Sequence, residues 1–485
     1  MTIPSHNQAS SRLFAWRELH AADFNFHSPF QLALAEGELL SIEKIIRVIP
    51  KRRMVGFCVW QGKPAVIKLF FDEQHARRQM EKDAQGISVL HAHHTPTPSL
   101  YYQGVSQDRR VYILIFERIL QAESLEDIWR RRSQSSPQAV LERTVIELAT
   151  QHVFGVMQRD LHLKNFLCTE QVIYTLDGGK VELQPSLLDK KMSMECLAIF
   201  IAQLGVGVEA LQEHLFRIYA KARGYLWKES DKLQLFFLIK QWNEKRWKNF
   251  SKKIFRNSTD FAVIKKGRWQ GMHVRKYASQ AWKDFYSQPD AIFEGKTAQL
   301  LKDGRSSTVI KVSIDERDYV IKRYNMKSIW HFMRRCFRAT RARTAWRLAN
   351  KLQLFCIPTA TPIAFIESRV LGLRGKSYYV TEYVAGEHAG QFFAHQQDEI
   401  KIHAMVKRII ALLKSLAKLH ITHGDFKVSN VLISAHEQPV LIDLDAAIEH
   451  ASLSSLHRTW HYDIERFTRD LDRQSVVREY FEREL

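Results

Sequence analysis

The stretch ITHGDFKVSNVLI, from Ile421 to Ile433, decides how this chain is read. It follows the apolar helical run IIALLKSLAKLH, passes through a short polar loop, and re-enters apolar sequence as NVLI. The loop sets Asp425, Lys427 and Asn430 at one polar edge of an otherwise buried crossing. Gly, Asp, Ser and Asn also build ordinary turns before strands, so the loop by itself leaves two readings open.

Its surroundings favour chemistry. Asp followed by Lys two residues on and Asn five residues on is the spacing of a phosphoryl-transfer catalytic loop. Thirteen residues after Asn430, QPVLIDLDAA delivers Asp443 at the end of an apolar strand. Asn430 and Asp443 offer the hard oxygen ligands that suit magnesium carrying nucleotide phosphates. Upstream, RDYVIKRY alternates like a strand and projects Lys322, a cation suited to the same phosphates.

The constellation occurs twice. In the first half PAVIKLFF places Lys68 on a strand, MQRDLHLKNFL places Asp160 and Asn165 five apart, and VIYTLDGGKVE places Asp177 twelve residues after Asn165. The lysine precedes the loop aspartate by 92 residues in the first copy and 103 in the second. Repetition at near-equal spacing marks two copies of one architecture. Each copy is β-rich with one helix before the loop and mostly helical after it. Pro289 and Gly295 punctuate AWKDFYSQPDAIFEGK, which places the division near residue 286.

Composition supplies the frame. The 485 residues are 45% hydrophobic and 26% charged, enough for two domains of ordinary size. Five cysteines (Cys58, Cys168, Cys196, Cys336, Cys356) lack a CxxC pair, which argues against a disulfide framework or a zinc site. The N-terminus has no signal-peptide pattern. The most apolar run, CLAIFIAQLGVGVEAL, carries Gln203 and Glu209 and reads as a buried helix, so a cytosolic protein is expected. The net charge of +20 points to an anionic partner: nucleic acid, a membrane surface or an acidic substrate.

The order VIKRYN, HGDFKVSN, LIDLDAA, then HYDIERFTRDL, resembles the bacterial lipopolysaccharide core kinases, the Kdo and heptose kinase family. RDLHLKNFL and YTLDGG resemble another member of it. The resemblance covers about residues 40–215 and 290–470. It implies an α+β fold of two tandem protein-kinase-like bilobal domains, residues 1–285 and 286–485, each with a small β-rich N-lobe and a mostly helical C-lobe. It implies that Asp160 and Asp425 accept the proton of the attacking hydroxyl. Asn165, Asp177, Asn430 and Asp443 take the metal positions. Lys68 and Lys322 take the phosphate-binding strand position, with Gly304 and Lys427 also on the nucleotide. The cofactors implied are ATP and Mg2+. The acceptor implied is a lipopolysaccharide core or lipid-linked sugar, met at the anionic cytosolic face of the bacterial inner membrane; nucleic acid is not the expected partner.

Several features depart from that pattern. Neither copy has a GxGxxG loop: IPKRRMVGF offers Gly56 only, and LKDGRSSTV offers Gly304 with two serines. After Lys68 the helix provides Glu81 or Asp83 to pair with it, and Glu81 is placed in the site. After Lys322 the run KSIWHFMRRCFRATRARTAWRLANKL contains no acid, so another group must hold that lysine. The same run carries Arg334, Arg335, Arg338, Arg341, Arg343 and Arg347, which on a helix form a basic face, either a solvated surface or a site for anions or a membrane. A second basic region interleaves Trp247, Phe250, Phe255 and Trp269 with lysines and arginines; it suits nucleic acid or a membrane interface, or an amphipathic helix with its aromatics inward. His162 fills the slot of Lys427. Two rival functions remain: another small-molecule kinase of the aminoglycoside or choline type, since HGD with Asn five residues on fits those too, and a pseudokinase or scaffold role for one or both copies.

Overall fold

The structure, a computed structural model, describes residues 12–24, 26, 28–226, 228–295, 298–325, 337–471 and 476–484. The chain divides into two compact units, one of residues 1–203 and 210–242, the other of residues 204–209 and 243–485. Both are α+β, with a curled strand-rich part and a helical part, as a kinase-like bilobal fold requires.

In the first unit, strands Leu39–Ile49, Arg53–Trp60 and Lys63–Phe70 run as an antiparallel meander into helix Ala76–Ala92. Strands Leu100–Val105 and Tyr112–Glu117 follow, and the later one inserts beside Lys63–Phe70. The period-2 pattern of the lysine strand explains its packing. Ala65, Ile67 and Leu69 are buried on one face, whereas Lys68 and Phe70 project to the other. Helix Ala76–Ala92 covers that second face, packing Met80, Ala84, Ile87 and Leu90 against Phe70, Leu114 and Phe116.

The second unit repeats the order. Strands Gln299–Gly304, Ser307–Ile314 and Arg317–Tyr324 precede helix Arg341–Leu354, and strand Leu373–Glu382 inserts between Arg317–Tyr324 and Pro362–Val370. Its helical half is built around helix Glu399–Lys418. There Ile402, Met405, Val406, Ile409, Ile410, Leu412, Leu413 and Leu416 recur at helical spacing on the buried face. Asp398 caps the start, accepting from the Ile400 and Lys401 N–H groups.

The division differs from the one read in the sequence at 285/286. Strand Trp269–Val274 pairs with Pro362–Val370, and Phe261–Lys266 pairs in turn with Trp269–Val274, so both extend the second sheet. Helix Gln280–Ser287 packs Trp282, Phe285 and Tyr286 over that sheet's outer face, against Tyr319, Ile321 and Tyr378. Residues 243–285 therefore belong with the second half, because its sheet needs their apolar cover. The same packing answers the question of the second basic region. Trp247, Phe250 and Phe255 lie on the core, Trp269 is buried, and Lys265 and Lys266 face water.

Among the described residues no helix is long and apolar enough to cross a membrane. Cys58, Cys168 and Cys196 are buried free thiols; Cys336 lies outside the described residues.

One buried group ties the stability of the first unit to pH. His152, 1% exposed, faces the Tyr219 hydroxyl at 2.6 Å. Burial, aided by Arg223, holds its ring pKa down at about 3. The unfolded chain takes up this proton near pH 6.5, so the unfolded state binds one more proton throughout the interval down to about 3. Stability then falls as the pH drops through that window. We expect His152 to cost the first unit about 2 kcal/mol between pH 6.5 and 5, and His152→Gln to flatten that slope in urea unfolding.

Candidate active site

The loop of the second unit is held from beneath by one carboxylate. Asp463, on helix Leu453–Arg469, is fully buried, and its oxygens accept backbone N–H groups from His423 at 2.7 Å, Gly424 at 3.2 Å and Phe426 at 3.4 Å. His423 is locked in turn by its Nε2 on the Ile442 carbonyl at 2.9 Å. Gly424 sits at φ +73, where a Cβ would lie 2.3 Å from the Ala446 carbonyl oxygen. Only glycine fits both the left-handed conformation and the close approach.

Asn430 closes the loop. Its Nδ2 donates to the Asp425 carbonyl at 2.8 Å and lies 3.3 Å from Asp425 Oδ2. The Ile442 N–H donates to the Asn430 carbonyl at 3.0 Å, which ties the loop to the strand delivering Asp443. With Nδ2 committed, the amide oxygen of Asn430 remains as the acceptor for a ligand. Asp425 itself is met by two cations, Arg466 Nε at 2.6 Å from Oδ1 and Lys427 Nζ at 3.4 Å from Oδ2.

Lys322 finds its acids in the loop, not in the helix. Its Nζ is paired with Asp443 and lies 3.2 Å from Asp445 Oδ2. Asp443 adopts φ 62, which turns its side chain toward the lysine strand. Burial opposes its charge, yet Lys322 keeps the carboxyl below the ordinary range. Burial and then the neighbouring Asp443 charge push Asp445 upward despite Lys322. An open cleft of ≈ 430 Å³ collects Arg341, Gly424, Asp425, Asp445, Ala446, Tyr462 and Arg466. Gly304 lies at the turn into Ser307–Ile314, and its carbonyl is held by Asn325 Nδ2 at 3.2 Å.

The first unit repeats the loop almost bond for bond. Asn165 Nδ2 donates to the Asp160 carbonyl at 2.9 Å, and the Leu176 N–H donates to the Asn165 carbonyl at 2.9 Å. The brace beneath differs. Gln203 accepts from the Leu163 N–H and donates to the Leu161 and Ile199 carbonyls, and its Oε1 lies 3.1 Å from His162 Nδ1. His162 Nε2 lies 2.9 Å from Asp160 Oδ1, and this contact holds the Asp160 carboxyl below its usual range.

Here the lysine does pair with a helix acid. Lys68 Nζ meets Asp83 Oδ2 at 2.7 Å, and Asp83 Oδ1 accepts the Gly178 N–H at 3.0 Å. A Cβ on Gly86 would lie 2.0 Å from the Gly178 carbonyl oxygen, and one on Gly178 would lie 2.2 Å from the Asp83 carbonyl oxygen. Two glycines thus let the helix reach the Asp177 loop. Asp177 stays below the ordinary carboxylate range, burial being outweighed by Lys68 and the Gly179 N–H among others.

Glu81 is therefore not the partner of Lys68. It points outward to Arg77 at 2.7 Å with its side chain half exposed, because two helical residues turn the side chain by about 200°. The basic face is corrected as well. Of the described arginines, Arg341 lines the cleft, Arg343 packs on Phe255 beside Glu367, Arg347 pairs with Glu449, and Arg338 is exposed. Arg334 and Arg335 lie outside the described residues. Asp445, Asp463, Gln203 and Arg466 had no assigned role in the sequence. Each left a trace there: the second acid of LIDLDAA, the aspartate and the arginine inside HYDIERF, and the lone polar residue of the apolar run CLAIFIAQL.

Strand order, loop, lysine strand and cleft define a protein-kinase-like domain. Residues 293–482 match the Lipopolysaccharide kinase (Kdo/WaaP) family, so this segment is similar to that family. The matched segment lies within the second unit. No curated protein matches the chain.

Because Asp463 carries the loop, Asp463→Asn sets an amide N–H against backbone N–H groups. We expect it to cost about 1–3 kcal/mol in denaturant unfolding of the second unit and to lower kcat more than it raises KM for nucleotide.

Proposed function

We propose that the second unit transfers the γ-phosphoryl group of ATP to a hydroxyl of a lipopolysaccharide core sugar, at the cytosolic face of the bacterial inner membrane. The observation that carries this reading is the convergence of Asp425, Asn430, Asp443 and Lys322 around one hydrogen-bonded loop, in a segment that matches a lipopolysaccharide kinase family.

The donor set fits Mg2+. Asn430 keeps its amide oxygen free of the loop's internal bond, and Asp443 is a carboxylate held in its charged form. Among the described residues no group of three or more His, Cys, Asp or Glu could hold a metal alone. When bound, the ion neutralises charge on the phosphates. Asn430 and Asp443 would hold it, and in the first unit Asn165 and Asp177 are the counterparts.

The chain's own residues do the rest. Asp425 accepts the proton of the acceptor hydroxyl, its carboxylate oriented by Arg466 and Lys427 and its backbone by Asp463 and Asn430. Lys322 places a cation beside the phosphates, with Asp445 as a second acid next to it besides Asp443, which would help hold the ion. Gly304 and Lys427 complete the nucleotide side. Catalysis in this arrangement is positioning and charge neutralisation. In the first unit Lys68, Asp83, Asp160, Asn165 and Asp177 form a second nucleotide site on the same plan, with Asp160 as its base.

The test is phosphate transfer from Mg-ATP to purified core oligosaccharide by the full chain, followed by mass spectrometry. Asp425→Asn should lower kcat by about 10²–10⁴-fold, and Lys322→Met should raise KM for ATP. Transfer to an aminoglycoside or choline in preference to the core would replace the acceptor. Transfer lost with Asp160→Asn and retained with Asp425→Asn would move the chemistry to the first unit.

A further inference from the structure

At one end of the second unit's sheet, two neighbouring hairpins turn side by side. The chain reverses through Gly267 and Arg268 between Lys266 and Trp269, and through Leu371 and Gly372 between Val370 and Leu373. The Arg369 N–H donates to the Arg268 carbonyl at 2.7 Å and so joins the two turns.

The second turn is built against its own local preferences. Leu371 has φ 49 and Gly372 φ 82, a left-handed pair that favours Asn-Gly, Asp-Gly or Gly-Gly. A leucine there is opposed by its own Cβ, and no burial compensates, since Leu371 is 98% exposed. Val370 beside it is 57% exposed. Phe337, 81% exposed, is tied to the same hairpin, its carbonyl accepting from Arg374 Nη1 at 3.0 Å. Three large apolar side chains thus stand in water around one projecting turn.

Cations surround them. Lys265, Lys266, Arg268 and Arg338 are exposed, and Arg369 and Arg374 flank the turn. The only acid within residues 265–269 and 367–376 is Glu367, which is 1% exposed and already met by Arg369 at 2.7 Å and Arg374 at 3.5 Å. The register puts this tip at the same end of the sheet as the Gly304–Ser307 turn. Ser307 pairs with Tyr324, and Tyr324 pairs with Ser377 on the strand that begins at Leu373.

We propose that this paired hairpin tip is a membrane-docking wedge. Leu371, Val370 and Phe337 enter the interface of an anionic bilayer, and Lys265, Lys266, Arg268 and Arg338 bind its headgroups. A convex apolar tip ringed by cations suits a fluid anionic interface. A second copy of the chain would bring the same basic ring against itself. Docking here would hold the sheet end bearing the Gly304 turn close to a lipid-anchored acceptor, although the wedge stands or falls independently of acceptor chemistry.

The test is co-sedimentation of the full chain, without nucleotide, with vesicles of phosphatidylcholine alone or mixed with phosphatidylglycerol. Wild type should bind the mixed vesicles and lose binding as salt rises. Leu371→Asn should weaken binding about tenfold or more while raising the melting temperature, because Asn suits the left-handed turn; a purely structural role would not separate the two. The Lys265→Glu, Lys266→Glu pair should weaken binding about tenfold or more. Wild type that ignores phosphatidylglycerol, or Leu371→Asn that binds like wild type, overturns the proposal. So does a Leu371→Asn effect confined to self-association in ultracentrifugation, which would assign the tip to a second copy.

Discussion

A carboxylate with no exposure to solvent, Asp463, carries the second unit's candidate catalytic loop. Three backbone N–H groups from residues 423–426 converge on it, and a buried carboxylate satisfied this way makes strong, charge-assisted bonds. What the loop presents follows from that anchor. Gly424 takes its left-handed turn against Ala446, Asp425 emerges into the cleft, and Asn430 returns a bond to the Asp425 carbonyl. The first unit meets the same demand with the amide of Gln203, which accepts one N–H and donates to two carbonyls. Charge is exchanged for reciprocal hydrogen bonding, and the freed acceptor capacity reaches His162.

The two units also differ in how they satisfy a partly buried ammonium. Lys68 takes its acid from a helix, at the cost of a close helix–loop approach that only Gly86 and Gly178 permit. Lys322 takes both of its acids, Asp443 and Asp445, from the turn that follows strand Pro439–Leu441. Helix Arg341–Leu354 presents no acid to it, and Arg341 lines the cleft. Buried Glu367 and half-buried Glu449 absorb much of the remaining positive charge of this region.

What could be read from sequence was what is local in the chain. Asp160 with Asn165, and Asp425 with Asn430, lie within single loops, so their spacing survives folding unchanged. The alternation of PAVIKLFF and RDYVIKRY likewise placed Lys68 and Lys322 on strands. Choices that depend on tertiary packing could not be read. Glu81 and Asp83 are two residues apart, and only the docking of the helix shows that Asp83 turns inward. The division at 285/286 followed Pro289 and Gly295, whereas the sheet draws residues 261–287 into the second unit through pairing and aromatic cover. A row of arginines gives no sign of the acids distant in sequence that will meet it. Asp463 stood in plain view in HYDIERF, but its partners are backbone groups some forty residues earlier, which no side-chain pattern announces.

The central claim is that the loop of the second unit performs phosphoryl transfer onto the lipopolysaccharide core. The most direct measurement is mass spectrometry of core oligosaccharide from a strain lacking this gene, complemented with wild type, Asp425→Ala, Asp160→Ala or both, at matched protein levels. A phosphate that vanishes in the null strain, returns with wild type and fails to return with Asp425→Ala is the result this account predicts. Identical cores from all strains, with every protein present, would contradict it.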